Sequence, residues 1–131
     1  MQTAGREIRD ITPLIAELTD RSGIVTGLSN IFIAHTSASL MVTENADPAV
    51  HHDLERFMRR TAPDGDTLYT HTDEGPDDMS AHVRSVLTEP SLSVPVVKGR
   101  LALGTWQGVY LWEHRVHPHL RHIVVTIWGE Q

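Results

Sequence analysis

One run of residues constrains this chain more than any other. Leu101, Leu103, Thr105, Gln107, Val109, Leu111 and Glu113 occupy alternate positions, and Ala102, Gly104, Trp106, Gly108, Tyr110 and Trp112 occupy the others. Side chains on a strand alternate between two faces, so this reads as a long strand from Arg100 to Glu113. A strand of that length is stable only inside a sheet with a buried face. Gln107 is a polar group in an aliphatic row, and Glu113 ends the same row. A buried amide needs partners, so Gln107 either braces a neighbour or contacts a ligand.

The rest of the chain supplies strands to pair with it and helices to cover it. Arg6–Arg9 forms a short first strand. Asp10–Ser22 is helical, with Asp10 or Thr12 as cap, Pro13 in the first turn and Gly23 at the stop. Gly27–Ala34 and Leu40–Thr43 are strands. Asp47-Pro48 opens a second helix to about Arg60, with Val50, Leu54, Phe57 and Met58 as its apolar stripe. Leu68–His71 reads as a short strand, and Pro76-Asp77-Asp78 opens a third helix to Thr88 with Met79, Val83, Val86 and Leu87 facing inward. Leu92–Val97, a Lys98-Gly99 turn and His122–Trp128 complete the order. The expectation is one α+β domain over residues 1–131, with a curved, mostly antiparallel sheet and about three helices on one side.

Composition excludes several classes. The 131 residues carry 11 Lys plus Arg against 17 Asp plus Glu, a net charge of −6, which disfavours non-specific nucleic-acid binding. With no cysteine there are no disulfides, thiolate metal sites or cysteine nucleophiles. The polar start MQTAGREIRD lacks the apolar run of a signal peptide, and no stretch approaches the roughly 20 apolar residues of a membrane span. A soluble cytoplasmic protein without membrane partners is the expectation.

Nine histidines stand out, because histidine is the commonest metal ligand and the usual acid–base group near neutral pH. His114, His117, His119 and His122 crowd one loop with Arg115 and Arg121, which reads as a solvated loop. His35 follows Ile31 and Ile33 at the end of a buried stripe. It is either a satisfied core residue beside a turn or the start of a site with the small Thr36-Ser37-Ala38-Ser39 segment, whose backbone N–H groups could approach an anion. His82 lies at the edge of the third helix's apolar face, and Asp53 at the matching edge of the second.

His35-Thr36-Ser37-Ala38-Ser39-Leu40, Glu44-Asn45-Ala46-Asp47-Pro48, His71 with Glu74-Gly75, His82, and Lys98-Gly99-Arg100 through Leu103-Gly104-Thr105-Trp106-Gln107-Gly108 resemble the YjbQ family, also labelled secondary thiamine-phosphate synthase. The resemblance runs from about Gly5 to Glu130. It implies an α+β fold, a homotrimer, and a site near subunit interfaces where histidines gather and hold a divalent metal such as zinc. It also implies weak thiamine-phosphate synthase-like transferase activity on a small phosphorylated molecule. Relatives carry a longer first strand, so the edge of the sheet is expected to be less covered here.

On this resemblance His35, His71 and His82 are the expected metal ligands, leaving a position open to water or a phosphate oxygen. Ser37, Ser39, Asn45, Arg100 and Gln107 are the expected substrate or anion contacts, and Asp53 and Glu113 the proton-transfer or orienting groups. The competing reading is a non-catalytic, trimeric metal- or anion-binding module. A closed four-ligand site would mark that module, and an open position beside a pocket would mark an enzyme.

Overall fold

The computed structural model describes all residues from Met1 to Gln131. Its elements are β1 (Glu7–Asp10), α1 (Thr12–Ser22), β2 (Thr26–Ile33), β3 (Ala38–Glu44), α2 (Pro48–Thr61), α3 (Asp78–Leu87), β4 (Ser91–Val97), β5 (Arg100–Leu101), β6 (Gln107–Glu113) and β7 (Ile123–Glu130). The α+β class and the three helices agree with the sequence. Hydrogen bonding divides the strands into two antiparallel sheets, ordered β1-β6-β3 and β5-β4-β2-β7. No helix is long and apolar enough to cross a membrane.

Local signals explain the element ends. The Asp10 carboxylate accepts the Thr12 N–H at 2.9 Å, and Gly23 closes α1 in the left-handed region at φ 71°. Asp47 caps α2 by accepting the Ala49 N–H at 2.9 Å, with Pro48 at its first position. Lys98 (φ 53°) and Gly99 (φ 78°) form the two-residue turn between β4 and β5, with positive φ at both positions as that hairpin requires.

The expected long strand is broken. Gln107 turns its side chain back, so Oε1 accepts the Gly104 N–H at 2.7 Å, while the Gln107 N–H donates to the Gly104 carbonyl at 3.1 Å. Asn45 Nδ2 ties the same turn by donating to the carbonyls of Thr105 and Gln107, each at 3.1 Å. Residues 102–106 therefore leave the sheet, and Trp106 stands out at 66% exposure. The expected strand at Leu68–His71 is also absent: that segment is a turn-rich loop in which Leu68 is exposed.

Between the sheets and α1 lies an apolar core of Ile11, Ile15, Ile31, Ile33, Ala38, Leu40, Val94, Val109 and Leu111. Each fully buried aliphatic side chain there contributes about 1.5–3 kcal/mol. The central strand β6 is buried on both faces, which is why its alternation does not separate inside from outside. Val109 and Leu111 face this core. Tyr110 and Trp112, each 3% exposed, face α2, Tyr110 against the His51 ring and Trp112 Nε1 on Glu55.

That second interior is polar. The expected inward stripe of α3 holds only in part: Met79 and Val83 are half-buried, while Val86 and Leu87 are 83% and 57% exposed. The helix buries Asp78, Ser80, Ala81 and Arg84 instead, because these polar groups find partners inside. On α2, only Met58 of the expected stripe is buried; Phe57 is exposed, and Val50 and Leu54 are half-buried.

Candidate functional site

Helix α3 begins with two aspartates that do different work. Asp77 does not cap the helix with its side chain. Its carboxylate instead accepts from the Val116 N–H at 2.9 Å and from Arg115 Nε at 3.0 Å. Asp78 accepts from Arg115 Nη1 at 2.8 Å through one oxygen. Arg115 Nη2 donates to the Glu74 carbonyl at 3.0 Å. One guanidinium thus fastens the 74–78 loop to the end of β6.

The other Asp78 oxygen, Oδ2, meets two imidazoles. It lies 2.6 Å from His71 Nε2 and 3.2 Å from His82 Nε2. His82 is one turn along α3 from Asp78, and the i,i+4 spacing brings both onto one face. His71 arrives from the loop, and the two rings pack edge-on with centroids 5.4 Å apart. The donor atoms of His71, Asp78 and His82 all lie within 4.8 Å of one another. Burial works to raise the Asp78 carboxyl, but the His71 hydrogen bond and the Arg115 charge outweigh it and hold the group below the usual carboxylate range.

Beside this cluster is a cleft of about 360 Å³ lined by Gly65, Asp66, Thr67, Tyr69, His71, Thr72, Gly75 and Pro76. Its walls are rich in hydroxyl groups and carry no arginine or lysine. Two imidazole nitrogens and a carboxylate oxygen form a donor set suited to zinc or a similar divalent ion. Three protein ligands leave a further coordination position for water or substrate.

His71 and His82 converge, then, and His35 does not join them. The turn after Ile33 carries His35 toward the start of β7, where its Nε2 accepts the His122 N–H at 2.7 Å and its ring stacks on that of His122 at 5.7 Å. Burial and then the Arg121 charge lower its pKa. Asp78 takes the place expected of His35. The sequence signal for it was the spacing Asp78-x-x-x-His82, there read only as a helix start.

The other expected residues lie apart from this cluster. Glu113 is fully buried, with Oε1 accepting from Thr3 Oγ1 at 2.7 Å and from Arg121 Nε at 2.8 Å. Its Oε2 accepts from the Arg115 N–H at 3.1 Å and from Arg121 Nη2. Burial raises its pKa, but these bonds lower it further, so it stands as an anchored carboxylate. Ser37 accepts from Arg121 Nη2 at 3.0 Å, and Ser39 pairs with His114 Nε2 at 2.8 Å. Asn45 and Gln107 brace the 102–106 turn. Arg100 lines a separate cleft with Thr12, Asp20 and Leu103. Asp53 faces outward in a groove of about 810 Å³ along α2, with Val50, Leu54, Arg56, Phe57 and Arg60. His114, expected in a solvated loop, is completely buried.

The sequence matches the UPF0047 protein YjbQ-like family over residues 1–130. The chain belongs to this family. A UPF0047 protein of Synechocystis sp. is 48% identical to this YjbQ-like chain over 128 residues, covering 98% of it and 87% of its own length. YjbQ of Escherichia coli O157:H7 is 47% identical over 117 residues, covering 89% and 84%. A crystal structure of a YjbQ/UPF0047 family protein from Clostridium acetobutylicum superimposes with a TM-score of 0.83 at 30% identity, covering 98% of this chain and 99% of that one.

Proposed function

We propose that this YjbQ-like protein is a small-molecule enzyme working on a phosphorylated substrate at the His71–Asp78–His82 centre. Its activity is a weak thiamine-phosphate synthase-like transfer, and a divalent metal, zinc first, is its cofactor. The observation that carries this reading is the convergence of three donor atoms within 4.8 Å beside a cleft. His71, Asp78 and His82 would hold the ion, which supplies positive charge for a phosphate that finds no cationic side chain in the cleft wall. Before the ion binds, Asp78 Oδ2 gathers both imidazoles; with the ion bound the three donors would turn to it, Arg115 would still fix Asp78 through its other oxygen, and the hydroxyl-bearing walls would bind the uncharged part of the substrate.

The protein is a homotrimer in this reading. Support comes from apolar surface that one copy leaves uncovered: Phe57 on α2, Val86 and Leu87 on α3, and Trp106 on the 102–106 turn. Exposed apolar patches of this kind mark association surfaces. The non-catalytic alternative calls for a closed site, and only three donors gather here.

The test is metal content by elemental analysis after purification without a histidine tag, before and after chelation and reloading with zinc. About one ion per chain is expected, lost in both Asp78→Asn and His82→Ala with the fold retained. Failure of the folded, zinc-loaded protein to retain any ion would refute the metal centre. Full retention by His82→Ala would remove His82 from the ligand set.

A further inference from the structure

Arg84 is completely buried, yet only one of its three nitrogens is used. Nη1 donates to both oxygens of Glu55 at 2.9 Å, while Nε and Nη2 have no partner. The neighbouring His114 is equally buried. Its Nε2 meets Ser39 Oγ at 2.8 Å, and its Nδ1 has no partner. Trp112 links the two groups, since its ring packs on His114 at 5.2 Å and its Nε1 shares Glu55 with Arg84. Buried polar nitrogens are rarely left unpaired, and three of them on groups linked in this way call for one explanation.

We infer that Arg84 and His114 form an internal receptor for a small oxyanion group, a phosphate or a carboxylate, gripped by the edge of the Arg84 guanidinium. The Nε–H and the nearer Nη2–H of an arginine are parallel donors on one edge, and that fork matches two oxygens of a carboxylate or phosphate. With Ser39 donating to Nε2, the neutral imidazole carries its proton on Nδ1 and becomes a further donor.

The electrostatics agree. Burial first, then the charges of Arg84, Arg6 and Arg121, keep His114 neutral down to about pH 3. Arg6 also donates through Nε to the His114 carbonyl at 2.9 Å. Arg6 is matched by Asp64 and Arg121 by Glu113. Arg84 shares its partner, because Glu55 also accepts from Trp112 Nε1 at 3.2 Å. Donors without acceptors in a cationic setting suit an anion better than a neutral ligand.

Entry is by way of α2. That helix is fastened through Glu55, through His51 Nε2 to the Glu44 carbonyl at 2.6 Å, and through the buried Met58, while Val50 and Leu54 are half-buried and Phe57 is exposed. Displacing it would release Glu55, the α2 group bonded to Arg84. This receptor does not depend on the His71 centre and stands or falls separately.

The test uses the ¹⁵N-labelled wild-type protein and the Nε–H signal of Arg84, which no substitution has to preserve. Inorganic phosphate and acetate are titrated separately at constant ionic strength in chloride. A new, saturating Arg84 Nε–H resonance is expected, accompanied by a change at His114 Nδ1–H. Response to phosphate alone assigns a phosphate group, and response to acetate alone assigns a carboxylate. No change with either anion at millimolar concentrations in the folded protein overturns the inference. The Arg84→Lys variant keeps the charge but loses the fork, so affinity should fall at least about tenfold. A folded Arg84→Lys protein binding the anion as tightly as the wild type overturns it too.

Discussion

Lowering the pH from 7 toward 5 should destabilise this protein through His114. The side chain is buried without exposure, and burial first, then the charges of Arg84, Arg6 and Arg121, lower its pKa from 6.5 to about 3. Unfolding returns the ring to water and to its ordinary value. Between those two values the unfolded chain holds a proton that the folded chain refuses, so stability falls as the pH falls. The slope is about 1.4 kcal/mol per pH unit for one such group. From pH 6.5 to about pH 5 the loss is about 2 kcal/mol, and across the whole interval it is about 5 kcal/mol. The depressed carboxylates Asp64, Asp77, Asp78 and Glu113 act in a lower window: their stabilisation is present above their unfolded values of 3.8 to 4.5 and is lost as the pH drops through their folded ones. His35 is the other lowered histidine, and its half-exposed ring makes it the smaller contributor. Urea unfolding at fixed protein concentration and pH 7, 6 and 5 should therefore show the wild type losing about 2 kcal/mol that His114→Gln does not lose. Glutamine keeps an amide for Ser39 but cannot titrate. Parallel wild-type and His114→Gln curves over that range would refute the reasoning.

Two further substitutions probe the scaffold. Arg121→Met leaves the buried Glu113 carboxylate without its main partner and should cost about 3–5 kcal/mol by urea unfolding; a loss below about 1 kcal/mol would mean the pair is solvated. Trp106→Ala should change folding stability by no more than about 0.5 kcal/mol, because the ring is 66% exposed, yet it should lower the sedimentation coefficient of the assembled species. Unchanged sedimentation with a large loss of stability would place Trp106 in packing rather than at an interface.

Elements with a local code were legible in the sequence. Asp47-Pro48, Gly23 and Lys98-Gly99 mark helix and hairpin ends through side-chain caps or positive φ, and those marks act within a few residues. The continuity of the 100–113 strand was misread, because alternation carries no sign of the Gln107 side chain closing a turn on Gly104. The face of α3 was misread in part, at Val86 and Leu87, for a deeper reason. Apolar spacing chose Val86 and Leu87, but the helix lies on a layer where Arg84, Ser80 and Asp78 have partners from distant segments. Half of the candidate site followed from the family resemblance: it singled out His71 and His82, and they do converge. Asp78 was within reach through its spacing to His82. Arg115 was not, since its partners lie 37 to 41 residues away along the chain.

The two interiors of this molecule answer to different requirements. The layer between the sheets is aliphatic and accounts for folding. The layer between the β1-β6-β3 sheet and helices α2 and α3 buries Arg84, His114 and the Glu55 pairing, where apolar side chains of similar volume would be as stabilising or more so. Stability alone does not explain such a layer. It also extends to the functional candidate: Ser80, Arg84 and Asp78 share the buried side of α3, and Arg115 ties Asp78 to the strand end that carries His114. A helix packed on aliphatic groups could slide or rotate with little penalty. A helix fixed by directional bonds at Asp78, Ser80 and Arg84 holds Asp78 Oδ2 between two imidazoles, the placement that the proposed centre at His71 and His82 calls for.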